Sequence, residues 1–134
     1  MSTKSKGINA ERELIHLFWK NKWVAVRVAG SGSSHYPSCD VLASNSIKSL
    51  AIEAKLTKDP KKYFSKQEID DLKLFAEGFG AEPWIAIKFK RDRWYFLRVR
   101  DLEKTGNNFV VSNQLAKIKG LSFELLIRDF VNYF

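Results

Sequence analysis

The chain has 134 residues and a mass of 15.5 kDa, the size of one domain, so a single domain over residues 1–134 is expected. With 45% hydrophobic and 28% charged residues it is neither disordered, fibrous nor a coiled coil. No apolar run approaches the roughly 20 residues of a membrane span, and the opening Met-Ser-Thr-Lys-Ser-Lys-Gly has no signal-peptide core, so a cytoplasmic protein is expected. The lone cysteine, Cys39, excludes an internal disulfide and a multi-cysteine zinc site.

The formal net charge is +8. Residues 1–60 hold 9 basic and 5 acidic residues and residues 61–134 hold 14 and 10, so each half carries +4 and no basic tail explains the balance. The basic groups gather at Lys61-Lys62, at Lys88, Lys90, Arg91 and Arg93, and at Arg98 and Arg100. That excess suits an anionic partner, nucleic acid being the commonest. A merely solvated basic face is the alternative.

In chain order, Asn9 to about Asn21 reads as a helix, with Leu14, Ile15 and Phe18 at helical spacing and Glu11 beside their stripe. Trp23–Val28 is a β-branched strand, followed by a Gly- and Ser-rich loop over Ala29–Ser38. Asp40–Ala43 and Ile47–Leu56 read as two strands around a Ser44-Asn45-Ser46 turn. Ser65 and Glu68 mark a helix start; Ile69, Leu72, Ala76 and Phe79 form its stripe, and Gly78 to Gly80 its exit. Pro83–Phe89 and Arg93–Val99 are strands, Phe109–Val111 a weak strand, and Ser122–Phe134 a closing amphipathic helix. The order predicts an α/β domain with a central mixed sheet flanked by helices on both faces.

Glu53 and Lys55 are two apart in a strand, so both leave one face while Ile52, Ala54 and Leu56 take the other. Alone, the pair reads as a local structural ion pair. Asp40, thirteen residues earlier, changes that reading. An antiparallel hairpin brings Asp40 and Glu53 together at one sheet end, with Lys55 alongside. Two hard carboxylates with a carbonyl and waters are what Mg²⁺ takes as ligands, and such an ion polarises a phosphodiester. Lys55 is then placed to orient water or to stabilise charge on the phosphate. Glu11 points toward the sheet as a third acid; its plainer reading, like that of Glu13, is complementation of the helix dipole.

Other residues carry weaker signals. No Gly-Lys-Ser/Thr follows the Gly30–Ser34 run, so it is not a nucleotide P-loop, and it reads instead as a loop able to meet phosphate. His35 and His16 read as surface or structural residues. Trp84, Phe89, Trp94, Tyr95 and Phe96 lie on strands, where core packing is the default. The stripe Phe123, Leu126, Ile127, Phe130 and Phe134 suits either core or a dimer seam.

Asp40-x(12)-Glu53-x-Lys55, after an N-terminal helix carrying Gly7-x-x-x-Glu11-Arg12-Glu13, resembles the archaeal-type Holliday junction resolvases of the restriction-endonuclease-like PD-(D/E)xK superfamily. Val26, Arg27 and Gly30 to Gly32, the strand Leu50 to Lys55, Tyr63, Phe75-Ala76, and Ile85 to Lys90 with Trp94 match at their expected places. No single motif is specific, whereas the ordered set is. The resemblance covers roughly residues 4–100 well and the remainder weakly. It implies a restriction-endonuclease-like fold and a homodimeric, Mg²⁺-dependent endonuclease, with Mn²⁺ as a substitute ion, that makes paired nicks across four-way junction DNA. By the same resemblance Glu11, Asp40 and Glu53 hold the metal, Lys55 completes the catalytic set, and Arg12, Arg27 and Ser31 meet the DNA backbone. No membrane and no small-molecule cofactor are implied. The family's Pro-Asp pair is replaced by Ser38-Cys39-Asp40, with Pro37 three residues before the acid. Cys39 reads as a small core residue. Two alternatives share the charge pattern: a nuclease of the same fold acting on duplex or flaps, and a catalytically silent DNA-binding module.

Overall fold

The computed structural model describes residues 2–30 and 35–128. Helix α1 (Thr3–Lys20) starts one and a half turns earlier than the apolar spacing predicts. Gly7 weakens that first stretch by roughly 1 kcal/mol, but the Ser2 hydroxyl accepts from the Ser5 N–H at 3.1 Å and caps it. Ala10, Leu14 and Phe18 form its buried stripe.

Three strands follow as an antiparallel meander: β1 (Val24–Arg27), β2 (Val41–Ser44) and β3 (Ser49–Thr57). The β2–β3 turn is fixed by Asn45, whose side-chain oxygen accepts from the N–H groups of Ile47 and Lys48 at 3.0 and 2.8 Å. A short β4 (Lys61–Phe64), not foreseen from sequence, leads into α2 (Lys66–Phe79). Ser65 caps α2 by accepting from the Glu68 N–H at 3.0 Å, and Gly80 ends it at φ 84°, where glycine meets no steric penalty. Ile69, Leu72 and Ala76 are buried as expected. Phe79 is instead exposed and stacks on Phe75 with ring centroids 5.6 Å apart.

β5 (Glu82–Phe89) then pairs parallel to β3, and β6 (Trp94–Arg98) pairs antiparallel to β5. The result is a five-stranded mixed sheet ordered β1-β2-β3-β5-β6. A second sheet, ordered β4-β8-β7, comprises β4, β7 (Glu103–Thr105) and β8 (Asn108–Ser112). The closing helix expected from Ser122 is present as α4 (Phe123–Arg128) within the described residues, and a short helix before it, α3 (Asn113–Lys119), was not foreseen from sequence. Gly120 separates them, since a Cβ there meets the Ala116 carbonyl oxygen at 2.4 Å. Phe130 and Phe134 of the expected stripe lie outside the described residues.

The main sheet has a core on each face. Leu50, Ile52, Trp84, Ala86 and Phe96 meet α1 and α4 on one side, and Ala51, Ile85, Ile87, Tyr95 and Leu97 meet α2 and α3 on the other. The strand aromatics Trp84, Phe89, Trp94, Tyr95 and Phe96 are all buried, which makes them core rather than a base-stacking surface. Among the described residues no helix is long and apolar enough to cross a membrane. Phe18 is fully buried and lies within ring contact of Trp23 (5.6 Å) and Phe123 (5.0 Å), joining α1, β1 and α4. Phe18→Ala is expected to cost about 3–5 kcal/mol in a urea titration; a loss under 1 kcal/mol contradicts this packing.

Candidate active site

β3 is central, flanked by β2 and β5, so its charged residues sit where apolar ones are the rule. Ile52 and Ala54 pack toward α1, which sends Glu53 and Lys55 to the opposite face, while Leu56 is partly exposed. Asp40 precedes β2 and is tied to β3 at two points. Its backbone N–H donates to the Ile52 carbonyl at 2.9 Å, and its carboxylate accepts from the Ala54 N–H at 2.9 Å. These bonds straddle Glu53. They bring Asp40, itself 8% exposed, within hydrogen-bonding reach of the Glu53 carboxyl.

Two carboxylates in a half-buried site repel one another. Burial, and next the Asp40 charge, push the Glu53 carboxyl up to about 7, against the pull of Lys55, whose Nζ lies 3.5 Å from Glu53 Oε2. Glu11 joins this field from α1. Its carboxyl is raised first by burial and then by Asp40, and Arg27 at the end of β1 opposes the shift across a 3.5 Å ion pair. Lys55 also acts on Glu11, so Glu11, Asp40, Glu53 and Lys55 share one electrostatic neighbourhood built from α1, the start of β2 and the middle of β3.

Among the described residues no group of three His, Cys, Asp or Glu side chains stands ready to ligate a metal. Asp40 and Glu53 form an adjacent pair, while Glu11 is engaged by Arg27. The pair suits a hard divalent ion such as Mg²⁺, which commonly takes one or two protein carboxylates and fills its shell with water and phosphate oxygens.

Arg12 is not brought to this cluster. It is exposed on the outer side of α1, beside Asn9, Glu13, His16 and Lys20 around a shallow hollow. Ser31 lies outside the described residues. Cys39 is fully buried and its thiol is pushed up to about 12, chiefly by burial, which fits a core residue and not a nucleophile. His35 is exposed.

Sequence reasoning missed Glu13. Because α1 begins at Thr3, neither Glu11 nor Glu13 lies in its first turn, and dipole complementation explains neither. Glu13 instead accepts from Trp94 Nε1 and Lys88 Nζ, both at 3.0 Å, pinning α1 to β5 and β6. A glutamate two residues after Glu11 has no sequence signal for partners more than seventy residues away.

The raised Glu53 carboxyl makes stability depend on pH. Between about 4.5, its ordinary value, and about 7, the folded chain holds a proton that the unfolded chain has released. Without divalent metal, stability is therefore expected to fall as pH rises through this window. Thermal melts in chelator at pH 5 and pH 8 should show that fall, and Glu53→Gln should flatten it; an unchanged slope in the variant contradicts the arrangement.

With this geometry in hand, comparison with known proteins gives a consistent result. The family model described as archaeal Holliday junction resolvase (Hjc) matches residues 2–132. The crossover junction endodeoxyribonuclease Hjc of Archaeoglobus fulgidus is 41% identical over 128 residues, covering 90% of this chain and 94% of the relative. Its namesake in Methanocaldococcus jannaschii is 32% identical over 123 residues, covering 92% and 88%. The solved structure of Archaeoglobus fulgidus Hjc, a Holliday junction resolvase from an archaeal hyperthermophile, superposes with a TM-score of 0.84 at 40% identity, covering 90% of this chain and 97% of that one. The chain belongs to the archaeal Holliday junction resolvase family.

Proposed function

We propose that the chain is a metal-dependent endodeoxyribonuclease that resolves four-way DNA junctions, acting as a homodimer on cytoplasmic DNA without a small-molecule cofactor. The observation that carries this reading is the double tie of Asp40 to Ile52 and Ala54, which sets its carboxylate against Glu53 with Lys55 on the same face. Relatives at up to 41% identity bear the name crossover junction endodeoxyribonuclease, which supplies the substrate.

In this reading Asp40 and Glu53 hold Mg²⁺, or Mn²⁺ in its place, directly, and Glu11 adds a third carboxylate from α1. The bound ion supplies charge neutralisation at the phosphate and an acidified water. Lys55 stands 3.5 Å from Glu53, where it orients the attacking water and offsets charge gathering on the scissile phosphate. Arg27 fixes Glu11 through one guanidinium nitrogen and offers its remaining donors to the backbone. Arg12 on the outside of α1 and Ser31 in the Gly-Ser loop add phosphate contacts that position the strand.

Resolution needs two strands cut together, whereas this constellation occurs once per chain among the described residues. Two chains related by a twofold axis supply two sites and match the approximate symmetry of a junction. The exposed Leu74 and Phe79, with Phe75 stacked on Phe79, offer an apolar surface for that pairing. Light scattering at micromolar concentration should give twice the chain mass, and a monomer that nicks both opposed strands in one binding event contradicts the dimer.

Asp40→Asn and Glu53→Gln are each expected to lower cleavage by at least about a thousandfold, while junction affinity stays within a few-fold because the basic surface is untouched. A gel comparing labelled four-way junction, linear duplex and flap, with and without Mg²⁺, tests the whole reading. Metal-dependent cutting confined to the junction supports it. Preferred cutting of duplex or flap points to another nuclease of this fold, and binding without cutting points to a silent module.

A further inference from the structure

A second basic site lies where β3 and β5 end. These strands run parallel, with Lys55 opposite Ile87 and Thr57 opposite Phe89, so the turns after both leave the sheet on the same side. Lys58, Lys90, Arg91 and Lys117 line an open hollow there, all four exposed. Against them stand two acids of the same hollow, Asp59 and Asp92, leaving an excess of two positive charges. Among the described residues the five ion pairs engage Arg27, Lys48, Lys55, Lys66 and Lys88, and none of these four cations takes part in one.

The rim is also tied together. Asn113 donates its backbone N–H to the Pro60 carbonyl at 2.9 Å and its side-chain amide to Asp92 at 3.1 Å. Asp92 further accepts from the Tyr95 hydroxyl at 3.1 Å and the Arg93 N–H at 2.8 Å. One residue thus fixes the turn after β3, the turn after β5 and the start of α3 relative to one another. The acid inside the hollow is spent on that bracing, while the cations around it stay turned to solvent.

We propose that this hollow grips the phosphate backbone of a junction arm beyond the cut site, a role that rests on the nuclease reading above. Lys58 follows directly on the end of β3 at Thr57, three residues past Lys55 and so up to roughly 10 Å on. A DNA strand carries one phosphate per about 3.4 Å of axis, so the hollow meets the backbone about three phosphates from the scissile one. The contact is to phosphate alone and carries no base sequence. Its effect is to hold the arm in register so that the strand entering the Asp40–Glu53 pair cannot slide.

The test is a titration of uncut four-way junction, in chelator, at several salt concentrations. Wild type is compared with K58Q/K90Q/K117Q, with the charge-preserving K58R/K90R/K117R, and with K4Q/K6Q/K73Q, which removes the same charge elsewhere. Each lost phosphate contact shallows the log–log salt slope by about 0.9 on duplex arms. The hollow variant is expected to lose about two to three units of slope and roughly 10- to 100-fold in affinity at low salt, with its melting temperature kept. The arginine set should retain both slope and affinity, and the distant glutamine set should stay near wild type. A hollow variant with wild-type slope overturns the proposal while leaving the nuclease reading intact, as does an equal loss in the distant set. A wild-type chain with no affinity for junctions overturns the nuclease reading itself.

Discussion

The site depends on one carboxylate doing two things. Asp40 accepts from the Ala54 N–H and so joins the backbone ladder of β3, and with the same carboxyl it presses on Glu53. The first interaction stabilises the second, because the hairpin register leaves Asp40 no way to turn aside. A buried pair of like charges is costly. Here it persists because the fold supplies the hydrogen bond and Lys55 supplies a counter-charge on the same face. What remains is a carboxyl pair that holds a proton up to about pH 7, with hard oxygens of the kind a small divalent cation takes as ligands.

The rest of the molecule fixes this pair against its surroundings. α1 approaches the sheet through Leu14 and Phe18, and Glu13 locks its inclination by accepting from both Lys88 and Trp94. Two residues earlier on the same helix, Glu11 is thereby delivered to Arg27 at the edge of the site. The parallel pairing of β3 with β5 sets the direction in which the chain leaves β3, and with it the position of the basic turns. The acid cluster and the basic turns are thus positioned by β3 and the partners it chooses.

Much of this was legible in the sequence, for particular reasons. A glutamate and a lysine inside an otherwise apolar strand violate the rule that central strands are uncharged, and that violation drew attention to Glu53 and Lys55 before any comparison. The Ser44–Ser46 turn made the hairpin, and hence the meeting with Asp40, predictable from spacing. What escaped were features that depend on distant partners or on short elements. β4 and β7, of four and three residues, lack enough periodicity to be seen. α3, of seven residues between a weak strand and Gly120, is too short to show a helical stripe. The exposure of Phe79 could not be told from a helical stripe, since the stripe is the same whether its last residue meets core or solvent. The engagement of Glu11 by Arg27 is set by the tilt of α1, which no local pattern encodes.

The account turns on Asp40 and Glu53 forming a cation seat in which Glu53 titrates near neutrality. Binding of Mn²⁺ to the DNA-free protein, followed by calorimetry at pH 6.5 in buffers of different ionisation enthalpy, measures that directly. Metal binding must displace the Glu53 proton, so the account predicts release of more than half a proton per ion at pH 6.5, falling toward zero at pH 8.5. Binding that releases no proton at pH 6.5 would contradict it, because Glu53 would then be either already ionised or no part of the seat.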